Sequence, residues 1–286
     1  MKNSTPAFTH FILPILFFCA SYTCAQETVY MYANGMLYNS PENAIVKFEQ
    51  KVLNDSTFEI YSSAHLSGKW GAPVFQSAVV QKSDSVFYIF ENKKRKGDYQ
   101  VRKLIKKDVG FQVEEFDKNG SLIFSGSALQ GFPLNLHGGG ILFDSDEKPM
   151  ARVAFFRGKQ TSEEFLFHPV DSSLNITVEP QFPGGKNEFK MEIARKVRYP
   201  IDAQKNNLTG DIFVKFKINE EGKIENFSTV FPAENILEKE AKQTLKRIRK
   251  KWHPAECNNK KIEVWHYAKI SFAQLGGTGN SAFGFF

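Results

Sequence analysis

Four consecutive residues, Phe182-Pro183-Gly184-Gly185, interrupt the chain about two thirds of the way along its 286 residues. Proline holds its own φ at about −65°, and paired glycines permit turns at which a Cβ would clash. No regular element runs through such a joint, so the chain is expected to be built in two parts. Its length allows two domains of ordinary size. With 42% hydrophobic and 14% aromatic residues, 28 of them Phe, the chain is globular and not disordered. The charge also divides at the joint. The whole chain carries +6, while residues 181–274 hold 19 Lys and Arg against 12 Asp and Glu. No nucleic-acid motif accompanies this excess, so it reads as solvated helix surface and nucleic acid is not an expected partner.

The N-terminus carries a targeting pattern. Lys2 precedes the apolar run "FILPILFFCA" (11–20), and "SYTCAQE" ends in small residues. Residues 1–25 therefore read as a secretory signal peptide cut after Ala25, and the mature protein is expected in the periplasm. The apolar run, broken by Pro14, is short of the roughly 20 residues that span a bilayer. An uncleaved inner-membrane anchor facing the periplasm is the alternative, and acylation at Cys24 a further one. Cys19 and Cys24 leave with the signal peptide. Cys257 alone cannot make an internal disulfide, and a zinc site needs several partners.

Residues 26–170 alternate short apolar runs with turn signals, which predicts an all-β, hairpin-rich domain. The stretches 58–70, 111–126 and 141–159 share one plan of strand, polar turn and second strand. Asn119-Gly120 is a hairpin signal, because glycine tolerates the positive φ of a tight turn. In the strand before it Phe111, Val113 and Glu115 share one face. These units resemble MORN-type hairpin repeats, and a generic all-β domain is the other reading. His65, His137 and His168 stand apart, without a carboxylate or thiol spaced beside them. Gly138-Gly139-Gly140 lacks the Lys-Ser/Thr of a phosphate loop. "KKRKG" (93–97) reads as an exposed hairpin loop. No nucleophile–base pair, metal set or cofactor motif is present, so an enzyme is not expected.

A linker over 171–181 leads to the joint. Beyond it Phe189, Ile193 and Val197 recur every fourth residue, as on one helix face. Tyr199-Pro200 ends that helix, and 201–207 adds a further helical turn. In "GDIFVKFKIN" (210–219) Ile212, Val214, Phe216 and Ile218 face one way, with Asp211, Phe213, Lys215 and Lys217 opposite. "NEEG" (219–222) reverses the chain into a partner strand over 223–231. After Pro232 a second helix buries Leu237, Ala241, Leu245 and Ile248, and Trp252-His253-Pro254 stops it. A last strand over 261–272 turns Val264, Ala268, Ile270 and Phe272 inward. These stripes are complete from about Glu179 onward, so this part is expected to fold alone.

The ordered set Phe182, Pro183, Gly184, Gly185, Tyr199, Pro200, Ala203, Gly210, Gly222, Trp252 and Pro254 resembles the TonB C-terminal domain family over residues 182–272. The resemblance implies a small α/β domain, a three-stranded antiparallel sheet with two helices, and hence an α+β chain overall. It also implies contact with outer-membrane transporters, a peptide of which adds as a strand beside the domain's last strand. Here that strand is 262–272, and Ile262, Val264, Trp265, Tyr267, Lys269 and Ser271 are the candidate contacts. A true energy transducer keeps a membrane anchor and a long proline-rich spacer. Only 12 prolines are scattered here, and a folded domain takes the spacer's place. A periplasmic adaptor is therefore favoured over an anchored energy transducer. Residues 275–286 form a flexible tail with glycines at 276, 277 and 279. Phe283, Phe285 and Phe286 leave two readings, a frayed end or a tail folded back over the last strand.

Overall fold

The computed structural model describes residues 28–231 and 235–273. The expected signal peptide (1–25), the tail (275–286) and Pro232 lie outside these residues.

Before the joint, strands β1 (Val29–Tyr32), β2 (Leu37–Tyr38), β3 (Ala44–Asn54), β4 (Thr57–Leu66), β5 (Lys69–Trp70), β6 (Val74–Ser83) and β7 (Val86–Phe90) begin one large antiparallel sheet. It continues through β8 (Tyr99–Lys106), β9 (Phe111–Phe116), β10 (Leu122–Gln130), β11 (Asn135–Phe143), β12 (Pro149–Phe156) and β13 (Lys159–Phe165). From β6 to β13 each strand lies beside the next in sequence, as short hairpin turns dictate. The β9–β10 turn shows the device. Gly120 has φ +86°, and its N–H donates to Asp117 O at 3.0 Å.

The sheet curls round its own core. Leu37 N–H donates to Arg157 O at 2.7 Å, bringing β2 against the β12–β13 turn. The β10–β11 connection tucks inward, with Phe132 edge-on to Phe87 and Phe58. The Arg102–Glu115 pair beneath it, at 2.6 Å, is closed to water on both sides. Burial pushes the Glu115 carboxyl up, and the adjoining guanidinium works against that shift. Arg102 also donates to Gly131 O at 2.7 Å, so the pair anchors the inward connection.

After the joint come α1 (Gly185–Lys196), α2 (Ile201–Lys205), β15 (Gly210–Ile218), β16 (Ile224–Thr229), α3 (Asn235–Lys246), β17 (Ala255–Cys257), β18 (Lys260–Ile262) and β19 (Val264–Phe272). Among the described residues the main sheet here has four strands, not the expected three, in the order β14-β19-β15-β16, where β14 is His168–Pro169. The extra strand comes from the part before the joint. His168 lies opposite Trp265 and Pro169 opposite Val264.

The last strand is also shorter than expected. Glu263 separates β18 from β19, and Ile262 pairs with Ala255 in a small hairpin of its own. Asn258 and Asn259, at φ +50° and +63°, make its two-residue turn. Helix α3 ends at Lys246, short of Trp252-His253-Pro254, because its last turn tightens. Arg247 N–H is shared between Gln243 O and Thr244 O, and Ile248 N–H reaches only to Leu245 O. The segment expected as linker is tied down. Thr177 and Val178 N–H both donate to Glu256 O, and Gln181 N–H donates to His253 O.

The four-stranded sheet buries both faces. On one, Ile212, Val214, Phe216 and Ile218 meet Leu237, Ala241, Leu245 and Ile248, with Phe189 and Ile193 of α1. On the other, Phe213, Val230 and Tyr267 join the core of the large sheet, and Phe165 packs edge-on against Phe213. Among the described residues no helix is long and apolar enough to cross a membrane.

Candidate partner-binding edge

Strand β19 has two unlike edges. Toward β15 the ladder runs its whole length, from Val264 opposite Ile218 to Phe272 opposite Gly210. On the other side, among the described residues, only Val264 and Trp265 are paired, by β14. The orientation of the remaining main chain is fixed by one bond. Val170 N–H donates to Glu263 O at 3.0 Å, so Glu263 faces the β14 side. Main-chain groups alternate along a strand, which sends the N–H and C=O of Tyr267, Lys269 and Ser271 to that same side. Among the described residues no strand pairs with them there.

A cleft of about 690 Å³ runs beside this open stretch. Helix α1 supplies one wall through Phe189, Ile193 and Val197, with Phe182 and Trp252 behind. The joint sets the angle of that wall. Gly184 and Gly185 have φ of +87° and +81°, and Gly185 N–H closes a turn on Phe182 O at 2.7 Å. Phe182 is thereby placed 5.1 Å from Phe189 and 5.3 Å from Trp252, ring to ring. His266 completes the apolar floor. It stacks on Phe167 at 3.9 Å, and its Nδ1 lies 3.0 Å from Leu166 O. Burial pushes its imidazole down to about 3, so at neutral pH the ring is uncharged and Nδ1–H donates.

The facing wall is β13, the terminal strand of the large sheet, with Glu163, Glu164 and Phe165. Lys269 of β19 pairs with Glu163 at 2.9 Å, and Lys186 of α1 pairs with Glu164. Deeper in, Tyr267 Oη–H donates to Asp144 Oδ2 at 2.8 Å, and Lys215 reaches Asp144 at 2.7 Å and Asp146 at 3.1 Å. Burial alone would raise the Asp144 carboxyl. The bonds from Lys215, the Lys148 amide and Tyr267 prevail and hold it below its usual range. Tyr267 moves the other way, its phenol pushed up by burial and then by the bond to Asp144. The edge strand is thus clamped from behind by the large sheet.

The structure divides the six candidate contacts. Ile262 lies outside β19, and Val264 and Trp265 are already covered by β14. Tyr267, Lys269 and Ser271 share the open stretch, with the Tyr267 side chain buried, Lys269 half-buried and Ser271 exposed. The remaining motif residues form the frame. Tyr199 donates to Leu208 O and packs on Phe272, Pro200 starts α2, Ala203 is buried, and Gly210 opens β15. Gly222 abuts Trp252, and half-buried Pro254 leads from it into β17. The exposed Pro183 touches none of the cleft. The sequence reading missed the wall from before the joint, Glu163, Phe165 and Phe167, although the alternation of Phe165 and Phe167 is a strand signal. No group of His, Cys, Asp and Glu among the described residues is arranged to hold a metal.

Residues 195–273 match the family model described as Gram-negative bacterial TonB protein C-terminal. The match takes in α2, β15 to β19 and α3, while the joint, most of α1 and β14 lie before it. Comparison with curated proteins and with solved structures gave no match.

Proposed function

We propose, taking the C-terminal domain to be of TonB type, that this chain is a periplasmic envelope protein which binds a partner by strand addition to β19. The partner is an outer-membrane transporter of the TonB-dependent kind, as the family's role implies. One observation carries this reading: Tyr267, Lys269 and Ser271 offer main-chain groups that no described strand uses, beside an apolar cleft. In strand addition, main-chain hydrogen bonds supply affinity and the pockets beside them select side chains. Here alternate residues of the added strand would meet Phe189, Ile193 and Val197 on one side and β13 on the other. A long exposed edge is ordinarily avoided, and a binding use explains its retention. The folded body before the joint suits an adaptor held in the periplasm, with the signal peptide removed. Mass spectrometry of the mature protein tests that part, since a retained Met1 or an acylated Cys24 would place it on a membrane.

The edge itself is tested by photo-crosslinking in intact cells, with the reactive group at the exposed Ser271. Adducts with an outer-membrane transporter are expected. Lys269→Pro should reduce them at least about tenfold, because proline removes an outward N–H that an added strand needs. Adducts that are absent, or indifferent to Lys269→Pro, would exclude strand addition here.

A further inference from the structure

We propose that residues 280–286 of this same chain add as a strand to the open edge of β19 whenever no partner occupies it. The proposal rests on the strand-accepting reading of that edge, and it names the competitor a partner must displace.

Position comes first. Strand β19 ends at Phe272, and Ile270 and Ser271 line the cleft. The chain therefore leaves β19 at the mouth of the cleft, beside the open edge. The remaining twelve residues, "LGGTGNSAFGFF" (275–286), begin with glycines at 276, 277 and 279. Glycine adopts the positive φ that a reversal between antiparallel strands requires. Length agrees as well. Residues 280–286 extend roughly 20 Å at about 3.3 Å per residue, and the stretch from Tyr267 to Ser271 takes roughly 13 Å.

The side-chain pattern suits the two sides of the edge. Ser281, Phe283 and Phe285 would share one face of an added strand, and Ala282, Gly284 and Phe286 the other. Toward α1 the edge meets the apolar wall of Phe189, Ile193 and Val197, which two phenylalanines can fill. Toward the large sheet there is little room, because Tyr267 is bound to Asp144 and Lys269 to Glu163. Of the residues on this face Ala282 and Gly284 are small, and Phe286, at the far end of the added strand, is the one bulky side chain it would have to take. Slipping the register by one residue would exchange the two faces and drive Phe283 and Phe285, in place of Phe286 alone, against the clamped side. Charge is compatible too, since residues 275–286 contain no charged side chain and Lys186 and Lys269 already have carboxylate partners.

The test is backbone amide hydrogen exchange, read at Tyr267, Lys269 and Ser271, in the full chain, a chain lacking 275–286, and the double variant Phe283→Ser, Phe285→Ser. Slow exchange is expected in the full chain, with both altered chains at least about tenfold faster at these amides. Amides of β15 should keep their rates, which shows that the fold persists. A synthetic peptide of residues 279–286 should restore slow exchange to the shortened chain and leave the full chain unaffected. Fast exchange in all three overturns tail docking but leaves the edge open to a partner. Slow exchange in all three overturns both, since the edge would then be closed by something other than the tail.

Discussion

Gly222 and Trp252 are far apart in sequence and interlocked in space. Gly222 has φ +77°, and a Cβ there would fall 1.9 Å from Trp252 O. Its carbonyl accepts from Trp252 N–H at 2.8 Å, so the turn before β16 is fastened to the chain beyond α3. Trp252 in turn presents its ring to Phe182, Phe189 and His266 beneath the cleft. His266 gives this floor a pH dependence. Burial lowers its imidazole from 6.5 to about 3, so between these values the unfolded chain binds a proton that the folded chain refuses. Stability therefore falls as pH drops through this window, by about 2 kcal/mol between pH 7 and pH 5. Urea unfolding of His266→Phe should show a flatter slope over that range, whatever its stability at pH 7. An unchanged slope would mean that the ring titrates freely in the folded protein.

Elements with a strong side-chain period were legible in the sequence. The stripe Leu237, Ala241, Leu245 and Ile248 is wholly buried, as are Ile212, Val214, Phe216 and Ile218 facing it. Leu245→Ala should accordingly cost about 2–5 kcal/mol in chemical unfolding, since it opens a cavity between α3 and β15. A negligible cost would mean that this helix face has little to pack against. Elements set by main-chain pairing were not legible. Strand β14 is only His168–Pro169, too short for a period, and β19 alone makes it a strand. The β17–β18 hairpin had a signal in Asn258-Asn259, two residues that tolerate positive φ, but its strands are only three residues each.

Across the two parts of the chain, the second face of the four-stranded sheet matters most. Phe213 and Tyr267 stand among Lys215, Lys217 and Lys269, an alternation that resembles a solvated face. The lysines instead meet carboxylates. Lys215 pairs with Asp144 and Asp146 and Lys269 with Glu163, all before the joint, while Lys217 pairs with Glu225 and Glu263. The residues from the joint onward therefore supply the buried members of one core, against which Phe167, Leu174 and Ile176 pack from before it, and share the other core. A fragment of residues 179–286 should be less stable than one of residues 166–286 by about 1.5–3 kcal/mol, the cost of uncovering one large aromatic. The difference arises because Phe167 covers His266 and β14 covers the start of β19. Equal urea midpoints and slopes would show that this cover adds nothing.

Elements whose residues repeat with a period can be read from the chain alone. These are the two helices with their buried stripes, the alternating strands, the hairpin at Asn119-Gly120 and the reversal at Gly222. Each depends on neighbours a few residues away, through φ preference or side-chain spacing. Long-range packing was needed to settle which edge of β19 no other described strand takes up, where β14 pairs, and that the lysine-bearing face of β15 and β19 lies against the large sheet. Period two separates the faces of a strand but does not say what lies across either one. Edge pairing is a main-chain property shared by every residue except proline, so it leaves little trace in side chains. The candidate site is an edge, and for that reason its motif was readable while its boundaries were not.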